Sequence, residues 1–378
     1  MKSPQSLLAV HSRVAALCAG AALLAACGST SAPASPAPAS TPTASKPAAS
    51  AAQPASLAAS ASAAAKPAAS ASAKPSASAE AKPAASGSAQ AAALPAKLDV
   101  VKLGEGIYGI QAVKYGMNTG FVVGDDGVMT FACNPADSWD LRFAAIRSVT
   151  DKPIKWHVNG HTASDDVGCN PDFKKMGATI YGSVKMKEDY EALWPDMLRA
   201  QLNTPAGRQI YLNRSTPTPP DVTFADEQVL NLGKGREAHL IYMGKGHTIG
   251  DAIAWMPEQK VMFSADLTFN KGHATATRGD SINWQKILDR MIGMAPNAVV
   301  TGHGAITTSA ADSKEVMQNL STYFTYMRNQ VKTLADKGKT VEDIKKEIDL
   351  GPYKDYPAPT ADAIPGSIEE YYREVGGK

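Results

Sequence analysis

Residues 29–95 are almost wholly Ala, Pro, Ser, Thr and Lys, with a proline every few positions. Alanine favours helix, but proline removes a backbone donor and clashes with the preceding turn, so no long helix can run through the tract. The tract has no hydrophobic period and few large apolar groups, so burial cannot offset its ordering entropy. We read it as a disordered, semi-extended tether. At ~3.1 Å per residue in a polyproline-like state it reaches on the order of 200 Å. With the first quarter of the 378 residues excluded from any core, one domain of about 280 residues remains, ample for a sizeable core.

Ahead of the tether, Lys2 and Arg13 precede an apolar run from Val14 to Leu24, which ends in Leu24-Ala25-Ala26-Cys27. A short apolar core closed by small residues is the pattern of a secretory signal, here residues 1–26. The Leu-Ala-Ala-Cys ending resembles the lipobox of bacterial lipoproteins. That resemblance implies cleavage before Cys27 and lipidation of its sulfur. Gly28 follows the cysteine where Asp would imply inner-membrane retention, so the implied place is the outer membrane, facing the periplasm. The expected organisation is a signal peptide (1–26), a lipidated Cys27 with its tether (27–95) and a folded domain (96–378). The expected partners are a small-molecule substrate or ligand and, through the lipid, a membrane. Net charge is +2, and no basic block or aromatic-basic interleaving points to nucleic acid. Beyond the N-terminal region no apolar run reaches the ~20 residues needed to span a bilayer.

From about Lys97 the pattern changes. GIYGIQA and NTGFVVGDDGVMTFAC alternate or run apolar, and Gly116-Met117-Asn118 and Gly124-Asp125-Asp126-Gly127 carry turn signals, so consecutive strands are expected. Residues 138–149 have helical spacing behind Asp137, a candidate N-cap. KPIKWHVNG reads as a strand, PDFKKMG as a short helix stopped by Gly177, and ATIYGS as a strand. Residues 185–201 have helical spacing apart from Pro195. VTFADEQVLNL, EAHLIYMG, DAIAWMPEQKVMFSAD and AVVTGHG give further strands, and SINWQKILDRMIGM and SKEVMQNLSTYFTYMRNQVKTLADKG give amphipathic helices. The NTPAGRQIYLNRSTPTPPD stretch shows no period and is expected to be a loop, either facing a substrate or on the surface. Strands and helices alternate through two halves, which makes the domain mixed α/β.

The chain has seven histidines. Three stand beside glycine at the ends of expected strands: His161 after Asn-Gly, His247 in GKGHT and His303 in TGHG. Asp266 ends another in FSADL. Loops at one edge of a sheet can gather such groups, and imidazole with carboxylate suits a borderline divalent ion.

In these motifs the chain resembles the metallo-β-lactamase fold superfamily, over nearly all of 97–378 and in the family's order. The family's His-x-His-x-Asp-His loop is matched by His161-Thr-Ala163-Ser-Asp165-Asp166. Its Gly-His-Thr, Gly-Asp-Leu and Gly-His-Gly motifs are matched by Gly246-His247-Thr248, Ala265-Asp266-Leu267 and Gly302-His303-Gly304. The resemblance implies a four-layer αββα sandwich with a metal site on one edge of two packed sheets. It also marks departures. Ala163 has no donor where the family has a second imidazole, and Asp166 has carboxylate where the family has a final His. Ala132 stands about where an acidic residue is expected to close its strand. The resemblance therefore implies a degenerate, remodelled site, with His161, Asp165, Asp166, His247, Asp266 and His303 as the metal-ligand set.

Three readings follow. One divalent ion binds Asp165, Asp166, Asp266 and His303 with His247 near, and this oxygen-rich set shifts preference from zinc toward manganese or iron. Alternatively the pocket is metal-free and binds a ligand, or the site is vestigial. In the first reading the protein is a membrane-anchored hydrolase acting on an ester-like bond, with Asp165 orienting water and His247 hydrogen-bonding the developing oxyanion. In the second it is a non-catalytic ligand-binding lipoprotein. Lys271, His273 and Arg278 follow Asp266 in a segment that either faces the pocket or is solvated. By the same resemblance the strand ending at Cys133 lies beside the loop containing Cys169, which implies a Cys133–Cys169 disulfide in an oxidising compartment.

Overall fold

The computed structural model describes residues 97–134 and 139–377. The expected signal, Cys27, the tether and the Asp137 N-cap lie outside the described residues. Among the described residues, no helix is long and apolar enough to cross a membrane.

The strand signals resolve into two sheets. In the first, β1 (Asp99–Gly104), β2 (Ile107–Gln111), β3 (Thr119–Val123) and β4 (Val128–Phe131) form an antiparallel meander. The Gly124–Gly127 turn closes its last hairpin, with Gly124 N–H donating to Gly127 O at 2.8 Å. β5 (Ile154–Val158), β6 (Thr179–Ser183) and β7 (Val222–Phe224) then add in parallel. The second sheet is built from β8 (Glu227–Gly233), β9 (Arg236–Gly244), β10 (Asp251–Met256), β11 (Val261–Phe269) and β12 (Ala298–His303), with only β11 and β12 parallel. Parallel strands are covered on both faces and so read as unbroken apolar runs. VMTF in β4 and VMFSADLTF in β11 are buried throughout.

Alternation along each strand divides the side chains into layers. Val122, Met129, Phe131 and Val158 of the first sheet meet Leu240, Ala254, Val261 and Phe263 of the second. On the outer side of the first sheet, Phe121, Val128 and Ile154 pack with Ile146 of α1 (Trp139–Arg147) and Phe173. Two short helices, α2 (Ser164–Val167) and α3 (Asn170–Lys175), lie between β5 and β6, and Phe173 belongs to α3. Beyond β6, α4 (Val184–Leu202) and α5 (Pro205–Tyr211) share a cluster of Met186, Tyr190, Trp194 and Tyr211. On the outer side of the second sheet, α6 (Ser281–Gly293), α7 (Ala310–Ala335), α8 (Val341–Glu347) and α9 (Ala363–Glu374) cover Ile253, Met262 and Val299 with Trp284, Phe324, Ile344 and Tyr371. The result is the expected αββα sandwich.

Three local readings differ from the structure. Residues 203–221 contain helix α5, because the Thr204 hydroxyl caps it by accepting from Gly207 N–H at 2.9 Å and Pro205 takes the first turn. Helix α4 runs through Pro195, whose exposed face lets water satisfy the carbonyl that loses its donor, while Tyr190, Trp194 and Leu198 hold the buried face. Met117 and Asn118 form a clasp rather than a turn. Asn118 N–H donates to Gly302 O at 2.7 Å, its Nδ2 donates to Thr301 O at 2.9 Å, and Met117 bridges to His303.

A close approach between the sheets sets a test. A Cβ on Gly120 would lie 2.4 Å from the Phe263 ring. Overpacking of this kind costs about 1–3 kcal/mol. Gly120→Ala is expected to lower the denaturation midpoint accordingly with an unchanged denaturant slope, read by equilibrium unfolding.

Candidate metal centre

Each candidate ligand leaves its element at one edge of the sandwich. His161 follows β5, Asp165 opens α2, His247 lies between β9 and β10, Asp266 is within β11 and His303 ends β12. Asp266 is aimed by an irregularity: the β11–β12 register shifts on both sides of Ala265, whose φ is 45°. A bulge of this kind re-aims the next side chain. Gly302 is required opposite it, because a Cβ there would stand 2.4 Å from Asp266 Oδ1.

The side chains converge on Asp266. Its Oδ1 lies 3.8 Å from His161 Nε2 and 3.3 Å from His303 Nε2, and its Oδ2 lies 3.5 Å from His247 Nε2. Asp165 Oδ2 is 3.6 Å from His303 Nε2. Two sets that could hold an ion share Asp266: His161 with His247, and Asp165 with His303. His161 Nε2, His247 Nε2, His303 Nε2 and Asp266 Oδ1 are buried and make no hydrogen bond.

The outer ring atoms of His247 and His303 are occupied, whereas His161 Nδ1 is buried without a hydrogen-bond partner. His247 Nδ1 lies 2.7 Å from Thr275 O, and His303 Nδ1 lies 2.8 Å from Tyr115 O. A carbonyl only accepts, so both Nδ1 atoms carry the proton, as in histidines that bind metal through Nε2. In a neutral His247, Nε2 is then a lone pair and has no proton to give an oxyanion, so the geometry suits the ring to ligation. Buried polar atoms left without partners are costly unless something fills the space between them. Three imidazoles and two carboxylates are a donor set that fits a divalent ion. Burial lowers His161 to about 4. Burial alone would raise Asp266, but His303, His161 and His247 around it hold the carboxyl well below the usual range. Burial alone would lower His303, yet Asp266 and Asp165 raise it well above the ordinary histidine value. A cation would therefore displace a proton on binding.

Asp166 stands outside both sets. Its nearest approach to a candidate ligand ring is 3.9 Å, from Oδ2 to His161 Nε2. Its carboxylate is turned to the loop, accepting from Asn159 Nδ2 at 2.7 Å, Gly160 N–H at 2.8 Å and His161 N–H at 3.2 Å. Burial pushes its pKa well above the usual range, and these donors oppose that shift. Asp251 does the same for the other histidine loop, accepting from His247 N–H at 2.6 Å, Thr248 N–H at 2.9 Å and Gly246 N–H at 3.1 Å. Burial raises it to about 6. Sequence reasoning missed Asp251, although its place four residues after His247 in GHTIGD was available as a signal. It also missed the layer beneath: Thr130 Oγ1 meets His157 Nδ1 at 2.9 Å, and Asn159 bonds both Asp166 and Asn170.

Cys133 and Cys169 form the expected disulfide, with Cα atoms 6.3 Å apart and a sequence separation of 36. In the chain-entropy model closure of such a loop contributes roughly 3–4 kcal/mol. It joins the end of β4 to the residue before Asn170, beside the Asp166 network. Ala132 is buried with φ at 57° and presents no donor. His273 is buried against Tyr323, at 3.0 Å, and away from the centre. Lys271 lines a separate cavity. Arg278 ties Thr162 O to Asp189 and so braces the His161 loop. The centre opens into a cleft of about 350 Å³, lined also by Tyr115, Ala163, Gln201, Ile210 and Tyr211.

His157 gives the pH test. Burial lowers it to about 3 from an ordinary 6.5. A depressed base contributes stability above pH 6.5 that is lost as pH falls from there toward 3, at no more than ~1.4 kcal/mol per pH unit. His157→Gln keeps a hydrogen-bonding side chain but removes this titration. The stability difference between wild type and variant is expected to shrink with that slope on acidification from pH 6 to 4, measured by denaturant unfolding at each pH.

A family model described as the metallo-beta-lactamase superfamily matches residues 136–303. Among solved structures, the stereoselective inverting sec-alkylsulfatase Pisa1 from Pseudomonas sp. aligns with a TM-score of 0.54 at 15% identity, over 74% of this chain and 50% of that one. The present chain thus spans half the length of that protein. A metallo-beta-lactamase from Pontibacter korlensis aligns with a TM-score of 0.47 at 17% identity, over 61% of this chain and 99% of that one. The four motifs in order, the αββα layers and the family model agree: this chain carries a domain of the metallo-β-lactamase superfamily.

Proposed function

We propose that the protein is a metal-dependent hydrolase of an ester-like bond. The observation that carries this reading is the set of three buried Nε2 atoms, without hydrogen bonds, around one buried carboxylate. His161, His247 and Asp266 would hold a divalent ion, with His303 and Asp165 completing its surroundings. One ion offsets the charge of the two carboxylates. Asp166 was the residue that made the expected set oxygen-rich. Without it the donors are three nitrogens and two carboxylates, and preference returns from manganese or iron toward zinc.

When bound, the ion supplies Lewis acidity that acidifies water and polarises the scissile group. The chain supplies the rest. Asp165 is half-buried at the cleft, where its carboxylate can orient water and accept a proton. His247 and His303 are fixed in one tautomer and one ring orientation by Thr275 O and Tyr115 O. In the anchored reading the domain would stand off the outer membrane on residues 27–95, with lipid on Cys27. That part rests on the sequence alone.

Metal content after extensive dialysis tests the reading. About one equivalent of a divalent ion is expected, lost in Asp266→Ala and His303→Ala. Asp165→Asn is expected to keep the metal and lower kcat by on the order of 100-fold or more. Ala163→His adds an imidazole where the family has one, and is expected to slow metal loss to a chelator by roughly tenfold, comparable to other changes around metal ligands. No bound metal, with no thermal stabilisation by Zn²⁺, Mn²⁺ or Fe²⁺, would leave the ligand-binding module instead.

A further inference from the structure

The cleft over the centre does not end at Ala163. A second cavity of about 230 Å³ adjoins it and shares Ala163, Ser164, His247 and Thr275 in its lining. Its further wall is Met197, Thr277, Arg278 and Asp362, the last exposed at the rim. Ala163 is one of the four residues on the border between these two lobes. It is half-buried and extended, with φ at −141° and ψ at 162°, so its methyl group is the whole of what the residue places there. The first lobe carries the polar side chains of Asp165, Gln201 and Tyr115 together with Ile210 and Pro359. In the second, the Met197 thioether is the large apolar group, on helix α4. Arg278 bounds this lobe, yet its guanidinium is committed to Asp189 at 3.0 Å and to Thr162 O. It therefore closes a wall and does not need an anionic ligand to satisfy it.

We propose, resting on the hydrolase reading above, that the second lobe is a subsite for an unbranched aliphatic arm of the substrate, and that Ala163 is the residue that admits it. The reacting bond sits over Asp266 in the first lobe, and the arm passes Ala163 to lie against Met197. The same substitution that removes a metal ligand thus lengthens the groove, which makes position 163 specificity-determining. An apolar arm suits the lobe because the Met197 side chain is flexible and polarisable and packs against chains of varied length.

The test is calorimetric titration of the protein with straight-chain carboxylates from acetate to octanoate, which bind without turnover. Wild type is expected to tighten by roughly fourfold per methylene through the middle of the series. Ala163→Leu, checked for retained metal and thermal stability, is expected to lose the chain-length dependence. Met197→Glu, which leaves position 163 unchanged, is expected to weaken octanoate at least tenfold and leave acetate unchanged. A flat series in wild type, no binding by any member, or an undiminished slope in both variants would overturn the proposal. The hydrolase reading fails separately: a protein that tightens with chain length but hydrolyses no ester keeps the lobe and loses the catalysis. One that hydrolyses acetyl and octanoyl esters equally keeps the catalysis and loses the lobe.

Discussion

Asp266 is a carboxylate buried among three imidazoles, and the edge of the sandwich is arranged around it. Its Oδ1 has no hydrogen-bond donor, and a single Cβ on Gly302 would collide with it. The strand that carries it breaks register at Ala265, a left-handed non-glycine residue, to present it. Left-handed conformation in such a residue costs on the order of 1 kcal/mol and persists only where the surroundings over-determine it. Here the surroundings are β12 on one side and Gly160 on the other, where a Cβ would meet the Ala265 methyl group at 2.4 Å. The glycines before His161 and His303 thus serve close packing against the strand that aims Asp266.

Around this centre the chain spends two other buried carboxylates on backbone amides. Asp166 and Asp251 each gather the N–H groups that precede or contain a histidine, so the two loops are held by the same device. A carboxylate accepting several backbone donors is a strong restraint. At position 166 it replaces an imidazole of the family pattern. The loop loses a ligand-type side chain there and gains an internal brace, next to the Cys133–Cys169 bond.

Much of this was legible in the sequence, for a physical reason. The layers follow from alternation and from apolar runs such as VMTF, and the edge of the site follows from glycine-histidine pairs at strand ends. The direction of a side chain was not legible. Asp165 and Asp166 are adjacent in sequence and alike in chemistry, yet one faces the cleft and the other faces its own loop, because residues one apart on a helical turn point to different sides. The role of His247 was hidden for a similar reason, since it depends on Thr275 O, 28 residues away. Helix α5 escaped because one short helix between prolines shows no period, and its cap is a single hydroxyl.

The Asn118 clasp has a consequence for how the molecule comes to exist. It joins residues 183 apart in sequence, Asn118 and Thr301, on the strand that ends in His303. Contacts of that separation close late, because chain entropy must be lost before they are rewarded. A chain that has emerged only as far as Gly250 has the His161 loop and His247 but lacks Asp266, His303 and the strand that locks against Asn118. The centre therefore cannot act as a nucleus for the first sheet in the manner of a zinc finger. Both sheets must close before the donor set is complete.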